Sequence, residues 1–169
     1  MNTFLTIAGI RVVRDYADQP IPDDELHRIL QAGRVTGSSQ NRQQWKFFVI
    51  RTRQRLDELA PSVYAPENIT GAPLAVALTT SARGTFDVGR CAQNMMLAAW
   101  DAGIGSCPNG VRDSERATQL LGVPHDESLA TIISFGYPQR PIRPGEDDLE
   151  GLLRRIKRKP LDELVVWVD

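Results

Sequence analysis

Two arginines near the N-terminus have the spacing and the chemistry of an anion-binding pair. Arg11 and Arg14 stand three residues apart in the segment IRVVRDY, close enough for both side chains to converge on one ligand. The guanidinium group is planar and permanently charged, and its fork of donors matches the oxygen atoms of a phosphate. Scattered surface arginines are also common in folded proteins. The pair therefore indicates either a phosphate contact or a solvated surface.

A polar stretch in front of an apolar run is the second candidate. Residues 37–44 read GSSQNRQQ, and the run WKFFVI follows at 45–50. Hydroxyl and amide side chains can both donate and accept hydrogen bonds, and binding groups are often carried on loops held by a rigid scaffold. Serine, asparagine and glycine are equally ordinary in solvated loops. These residues alone leave open a solvated loop and a loop that binds a polar ligand.

The remaining reactive residue types argue against hydrolytic, metal and dinucleotide sites. His27 and His125 are isolated, and no Ser-His-Asp order is present. Cys91 and Cys107 form no C-x-x-C pair, which argues against a disulfide scaffold and a structural zinc site. The stretch GIGSCPNG at 103–110 lacks the G-x-G-x-x-G spacing and follows a predicted helix. Its glycines could still let backbone amides approach a flat ligand closely.

Hydrophobic periodicity predicts the helices that position these residues. Residues 23–35 place apolar side chains on one face after Pro22, which predicts an amphipathic helix. Residues 86–104 have apolar side chains in nearly every turn, as expected of a central buried helix. Residues 113–122 predict a shorter helix that ends at Gly122.

Short runs of aromatic and β-branched residues predict the strands. Three buried strands are expected at 45–50, 73–80 and 128–136. After these come a proline-punctuated surface loop at 140–148, the basic stretch LLRRIKRKP and the strand-like run LVVWV at 164–168. Helices that alternate with strands predict a three-layer α/β or α+β arrangement. A length of 169 residues fits a single domain over residues 1–169.

Composition and charge limit the kinds of binding partner and the cellular compartment that we expect. The formal net charge is -1 and the pI is about 6.1, so no overall attraction to nucleic acid or to an acidic membrane is expected. The N-terminus has no basic region before its apolar residues, and no run approaches the roughly 18 apolar residues of a membrane helix. We therefore expect a cytoplasmic protein without nucleic-acid or membrane partners.

The order of the segments resembles the nitroreductase family of FMN-dependent oxidoreductases that use NAD(P)H. The resemblance runs from about residue 10 to residue 168 and rests on the ordered set RVVRDY, IPDDELHRILQAG, SSQNRQQWKFFVI, AQNMMLAAWDAGIGSC, SFGYP and RKPLDELVVWV. It implies an α+β fold with three α/β/α layers, in which helices flank a central and mostly antiparallel sheet. It also implies an intertwined homodimer with FMN at the subunit interface.

The resemblance gives the polar loop a role. It implies that Ser38, Ser39 and Asn41 hydrogen-bond the flavin from the partner subunit, with Gln43 close by. Trp45 would anchor the loop in the core. The loop would then be a ligand-binding loop rather than a solvated connection.

The other cofactor contacts follow from the same resemblance. The side chains expected to hold the FMN phosphate are Arg11, Arg14, Arg158 and Lys159. The residues expected near the isoalloxazine ring, through the glycine-rich stretch, are Gly105, Asn109 and Gly110.

Four positions depart from the family pattern. The usual R-R-S-x-R opening is replaced here by IRVVR, so that Ile10 and Val12 stand in place of an arginine and a serine. Gly37 and Gln44 replace prolines on either side of the polar loop. The departures leave Arg11, Arg14 and the serines of the loop in place.

The implied activity is a flavin-mediated reduction. A hydride would pass from NADH or NADPH to the flavin, and an electron-poor small molecule such as a nitroaromatic or a quinone would then be reduced in a ping-pong cycle. The cofactor carries the chemistry in such enzymes, and no side-chain catalyst is expected.

Two alternatives come from other functional classes. The first is a non-catalytic flavin-binding or flavin-storage protein of the same fold. The second is a nucleic-acid binder in which helix 23–35 and SSQNRQQ act as a reading element. The net charge of -1 argues against the second.

Overall fold

The computed structural model describes residues 3–81, 85–142 and 148–168. The α-helices of this part are α1 (Thr3–Gly9), α2 (Asp23–Arg34), α3 (Arg53–Leu59), α4 (Glu67–Thr70), α5 (Thr85–Asp101), α6 (Ser114–Leu121) and α7 (Leu149–Arg155). The strands are β1 (Trp45–Ile50), β2 (Leu74–Ser81), β3 (Gly105–Asn109) and β4 (Glu127–Gly136). Single 3-10 turns lie at Ser39–Asn41, Ala60–Ser62 and Leu161–Glu163. Within the described ranges, no helix combines the length and the apolar character needed to cross a membrane.

The strands form an antiparallel sheet in the order β1-β2-β4-β3. Strands β1 and β3 are therefore the two edges of the sheet that the described residues build. The predicted strands at 45–50, 73–80 and 128–136 are confirmed as β1, β2 and β4. Strand β3 was not predicted, because the stretch 103–110 contains three glycines and a proline and so has the composition of a loop.

Helices cover both faces of the sheet, which confirms the expected α+β fold with three α/β/α layers. Along β2, Leu74, Val76 and Leu78 pack into one core cluster, which also contains buried residues of α2 and α5. Ala75 and Ala77 point the other way into a second cluster with buried residues of α3, α4 and α6. Successive side chains of a strand alternate between the two faces of the sheet. A strand covered on both sides is therefore apolar throughout.

The predicted helices are confirmed within a few residues of their expected ends. The segments predicted at 23–35, 86–104 and 113–122 form α2, α5 and α6. Helix α6 begins after Asp113, whose side chain accepts a hydrogen bond of 2.9 Å from the backbone N–H of Arg116. It ends at Gly122, which has a φ of 67°. A left-handed residue at this position favours glycine, which lacks a Cβ.

Two predictions about the end of the chain have different outcomes. The expected strand at 164–168 was wrong for a single chain, since Leu164 lies in a turn and the rest of this segment pairs with no strand among the described residues. The first four residues of the basic stretch before it belong to α7, which the sequence pattern did not predict. Most of the predicted surface loop at 140–148 lies outside the described residues, at 143–147.

The N-terminal arginine segment lies against the outer edge of β3. The backbone N–H of Val13 donates to the Ser106 carbonyl at 3.0 Å, and Val12 forms a parallel bridge with Ser106. This approach is close at Gly105, where an added Cβ would lie 2.5 Å from the Cβ of Val13. The absence of a side chain at Gly105 is what lets the segment pack there.

We predict that Gly105→Ala destabilises the fold by about 1–3 kcal/mol, the usual cost of forcing extra atoms into a packed site. Valine is branched at Cβ and cannot turn its methyl groups away cheaply. Chemical denaturation gives the free energy of unfolding. The control is Gly89→Ala in α5, where an added Cβ has nothing within 4 Å and alanine is expected to stabilise the helix by about 0.5–1 kcal/mol. An unchanged free energy for Gly105→Ala would contradict the prediction.

Candidate functional site

Arg11 and Arg14 line one groove at the edge of the molecule. The groove has a volume of about 470 Å³, and it is lined by residues 11–15 and 138–140 together with Trp100 and Ile142. Arg11 is partly held by its own backbone, because its Nη1 donates to the carbonyls of Ala8 at 2.7 Å and Ile10 at 2.8 Å. Among the described residues, neither Arg11 nor Arg14 forms an ion pair with a carboxylate. The groove therefore keeps an excess of positive charge.

Arg14 also approaches β3 from outside the sheet. The thiol of Cys107 is buried, and burial raises its pKa above the ordinary value, while a hydrogen bond from Arg14 acts in the opposite direction. A thiol with a raised pKa stays neutral at neutral pH. The charge of Arg14 is thus not neutralised by Cys107 and stays available to an anion in the groove.

Asn109 on β3 faces the interior of the protein. Its side-chain nitrogen donates to the carbonyls of Cys107 at 2.9 Å and Ile132 at 3.1 Å, and its side-chain oxygen accepts from Asn68 at 3.0 Å. Asn109 is only 5% exposed, so the hydrogen-bonding capacity of its side chain is used within the core. Any contact of Asn109 with a ligand outside the core would have to come from its main chain.

The two glycines that the sequence singled out around β3 differ in their surroundings. Gly105 is buried against Val13, whereas Gly110 is exposed at the other end of the strand. The carbonyl of Gly110 accepts a hydrogen bond of 3.1 Å from the backbone N–H of Tyr64. Of the two, Gly110 is the one that solvent can reach.

The polar loop before β1 has an unusual backbone. Gln40, Asn41 and Gln43 have φ values of 52°, 54° and 49°, in the left-handed region that non-glycine residues rarely adopt. The Oγ of Ser38 accepts a hydrogen bond of 2.8 Å from the N–H of Gln43, and the side-chain amide of Gln43 donates to the Oδ1 of Asn41 at 3.1 Å. Strained residues of this kind cluster at functional sites and persist where their surroundings fix them.

Helix α5 fixes this loop from outside. The N–H of Ser39 donates to the Oδ2 of Asp87 at 3.0 Å, and the Nη1 of Arg90 donates to the carbonyl of Gly37 at 3.1 Å. At the far end of the loop, the half-buried side chain of Trp45 packs against the core, as the sequence predicted. The side chains of Ser39, Asn41 and Gln43 remain exposed to solvent.

The groove and the loop lie far apart within one chain. The loop leads into Trp45 on edge strand β1, which is in register with Thr80 and through it with Ser128. The arginine segment bonds Ser106 on the opposite edge, which is in register with Phe135. Seven residues along β4 correspond to roughly 23 Å, and three strand spacings add roughly 14 Å across the sheet. One chain therefore does not bring together the two halves of the predicted flavin site, which are the groove with Arg11 and Arg14 and the polar loop at 37–44.

The basic residues near the C-terminus lie outside the groove. Arg158 and Lys159 are exposed in the segment after α7, and neither is among the described residues that line the groove. The Nη1 of Arg158 donates to the carbonyl of its neighbour Lys157 at 3.2 Å. Helix α7 packs against α1, which leads to Arg11. The C-terminal segment thus begins on the same side of the molecule as the arginine pair.

Arg140 is a groove residue that sequence reasoning missed. It lies in a proline-rich segment read as a surface loop, and no spacing in the sequence connects it with Arg11 and Arg14.

Sequence reasoning also missed Tyr16, which holds the N-terminal arginine segment in place. Its hydroxyl donates to the carbonyl of Val13 at 2.7 Å and lies 3.1 Å from the Oγ of Ser134.

Comparisons of the sequence and of the structure with known proteins point to the same family. The sequence profile of the nitroreductase family matches residues 7–82 and 79–137. A protein of Archaeoglobus fulgidus, provisionally named NADH dehydrogenase/NAD(P)H nitroreductase, is 28% identical over 141 residues, which cover 76% of this chain and 81% of that protein.

Solved structures show the same fold at lower sequence identity. A nitroreductase family protein of Clostridium difficile 630 aligns with a TM-score of 0.83 and 22% identity, covering 99% of this chain and 98% of the other. A structure described as an FMN-dependent nitroreductase, from Clostridium difficile R20291, aligns with a TM-score of 0.78 and 23% identity, covering 93% and 99%. Since the family profile covers most of the sequence, the chain belongs to the nitroreductase family.

Proposed function

We propose that the protein is an FMN-dependent oxidoreductase that takes a hydride from NADH or NADPH and reduces an electron-poor small molecule. Membership of the nitroreductase family supports an oxidoreductase. The name of the Archaeoglobus relative points to NAD(P)H as donor, and the description of the Clostridium difficile R20291 structure points to FMN as cofactor. The observation that carries the proposal is the groove in which Arg11 and Arg14 stand without a paired carboxylate.

The chemistry of the groove fits the phosphate of FMN. Arg14 has no carboxylate partner among the described residues. It lies beside Cys107 of β3 and lines the groove together with the apolar residues Trp100 and Ile142. A charge-assisted hydrogen bond of this type contributes about 1.5–3 kcal/mol. We propose that Arg11 and Arg14 hold the phosphate, with Arg158 and Lys159 joining them from the C-terminal segment.

The loop fits the polar parts of the flavin. Ser39, Asn41 and Gln43 expose hydroxyl and amide groups from a backbone fixed by Asp87 and Arg90, so little conformational freedom is left to lose on binding. We propose that Ser38, Ser39, Asn41 and Gln43 bind the flavin. At β3 we propose main-chain contacts from Asn109 and Gly110, because the side chain of Asn109 is used within the core. Gly105 is buried against Val13 and would serve the site by letting the arginine segment pack there.

A homodimer would bring the two half-sites together. The groove lies at the β3 edge of the sheet and the loop at the β1 edge, so a flavin that contacts both needs two chains. Three C-terminal side chains support an exchanged segment, since Val166, Trp167 and Val168 are 84%, 87% and 91% exposed in one chain. Contiguous apolar surface of this kind marks an interface. We propose that residues 161–168 pack on the partner subunit.

The protein's own part in the reaction is binding and orientation. When bound, the flavin supplies the redox chemistry, since flavins accept a hydride from NAD(P)H and pass electrons on in a separate half-reaction. Arg11 and Arg14 would fix the phosphate end, and the loop would fix the ring end from the other chain. No described side chain is assigned a proton-transfer role, so the reaction would depend on placement.

An absorbance spectrum tests the proposal. The purified full chain is incubated with FMN, desalted, and titrated with NADH or NADPH without oxygen. Flavin bands that survive desalting and bleach with the nucleotide are expected. Bands that survive and do not bleach would favour a flavin-binding or storage protein, and the loss of all flavin would overturn the proposal.

A further inference from the structure

A third arginine faces the groove that contains Arg11 and Arg14. Arg140 lies just beyond β4, on the wall formed by residues 138–140. The sequence pattern gave it no role. Its position next to the proposed phosphate site raises the question of whether it binds the same anion.

The backbone around Arg140 is fixed against the N-terminal segment. The N–H of Ala17 donates to the carbonyl of Tyr137 at 2.7 Å, and the N–H of Gln139 donates to the carbonyl of Asp15 at 3.2 Å. These bonds flank an antiparallel bridge between Tyr16 and Pro138. The side-chain amide of Gln139 adds a bond of 2.9 Å to the carbonyl of Tyr16.

This pairing sets the register between the two walls of the groove. Gln139 is opposite Asp15, so that Arg140 follows directly after the last paired residue and Arg14 directly precedes Asp15. The placement of Arg140 beside Arg14 therefore comes from backbone hydrogen bonds rather than from the pose of a flexible side chain. Proline at 138 restricts the backbone further.

The charges on the groove are unbalanced. Arg11, Arg14 and Arg140 supply three positive charges, and Asp15 supplies the one carboxylate among the described lining residues. Within the described ranges, none of the three arginines forms an ion pair, whereas Arg28, Arg51 and Arg90 elsewhere pair with aspartates. Like charges held close together repel unless an anion lies between them.

We propose that Arg140 is a third phosphate-binding arginine of this groove, acting together with Arg11 and Arg14. The inference rests on the proposed function insofar as the phosphate is that of FMN. A dianionic phosphate offers three peripheral oxygens, enough for donors from three guanidinium groups. Arg140 would thereby contribute to the affinity for FMN and not to the affinity for riboflavin, which has the same ring system without the phosphate.

The test compares the two flavins on Arg140→Gln. Dissociation constants are measured on the purified full chain from the change in flavin fluorescence on binding. For FMN we expect a value roughly tenfold to a hundredfold higher than in the unmodified protein, corresponding to one lost charge-assisted hydrogen bond. For riboflavin we expect a change of less than about twofold, since no phosphate contact is lost.

Two further variants distinguish the loss of a charged phosphate contact from a general effect on the fold. Arg140→Lys keeps the charge and loses the planar fork, and is expected to fall between the unmodified protein and Arg140→Gln. Arg116→Gln removes an exposed arginine of α6 that does not line the groove, and it is expected to bind both flavins normally. An equal loss for FMN and riboflavin in Arg140→Gln would indicate a structural effect and would overturn the proposal, as would an unchanged FMN affinity.

Inorganic phosphate distinguishes this inference from the proposed function. Phosphate is expected to raise the melting temperature of the unmodified chain more than chloride of equal ionic strength, and to do so much less in Arg140→Gln. If neither flavin binds the unmodified protein, the proposed function fails. The phosphate result then decides the role of Arg140, and equal stabilisation of the two proteins would overturn it.

Discussion

A chain that ends at Pro160 is expected to be monomeric and to bind FMN at least roughly thirtyfold more weakly than the full chain. The reason is that an interface aromatic often contributes about 2 kcal/mol or more. The deleted part includes Trp167 and Val168, which are almost fully exposed in a single chain. Its removal takes nothing from the buried clusters on either face of the sheet. Light scattering after size exclusion gives the mass, and flavin fluorescence gives the affinity.

The shortened chain must keep its fold for this result to count. Its far-ultraviolet circular dichroism and its cooperative unfolding are expected to persist. Tyr64→Ser is the matched control, since Tyr64 is an aromatic residue 74% exposed outside the C-terminal segment, and this variant is expected to remain dimeric. A folded, shortened chain that is still dimeric and still holds FMN would contradict the role proposed for residues 161–168.

Two variants that each fail to bind FMN are expected to restore binding when they are combined. Arg14→Glu reverses a charge in the groove, and Ser39→Trp fills the exposed loop. If each flavin is held by the groove of one chain and the loop of the other, a mixed dimer contains one intact site and one doubly altered site. Random assortment makes half of the dimers mixed, so about one quarter of the normal flavin content is expected.

This experiment discriminates between sites made by one chain and by two. The variants are unfolded together, refolded together, loaded with FMN and desalted, and the bound flavin is measured per chain. Each variant refolded alone is the control and is expected to hold almost none. A mixture that also holds none would contradict a shared site, because a site built within one chain carries its defect into every dimer.

Local sequence patterns were sufficient to predict the helices and strands whose apolar residues form a clear run or recur at a regular spacing. The apolar runs of β1, β2 and β4 and the continuous apolar character of α5 follow from burial in a sheet covered on both faces. The end of α6 at Gly122 also followed from the sequence. In these segments the local preference and the tertiary environment agree, which is why the sequence was enough.

Other features depend on contacts that no local pattern contains. Strand β3 is short and carries Gly105 and Pro108, and it is a strand because β4 and Val13 flank its two edges. Asn109 was expected near the flavin from the family resemblance, whereas its side-chain oxygen is engaged by Asn68, far away in the sequence. Arg140 joins the groove through the pairing of Gln139 with Asp15. Each of these is a long-range effect.

The roles of the polar loop and the C-terminal segment could be predicted only through the family resemblance. Nothing in the types of Ser38 to Gln43 distinguishes a binding loop from a solvated one. The structure adds three left-handed residues and the anchors from Asp87 and Arg90. The run at 164–168 has the composition of a strand and no partner strand in its own described chain.

The sheet order β1-β2-β4-β3 has a thermodynamic consequence for the proposed site. Since its two halves lie on opposite edges, cofactor binding and subunit association would form one coupled equilibrium. By mass action, dilution of the protein should release FMN, and an excess of FMN should hold the subunits together. The coupling would be reciprocal: the factor by which FMN strengthens the dimer would equal the factor by which dimer formation strengthens FMN binding. The amount of the protein in the cell would thereby set the fraction that is charged with cofactor.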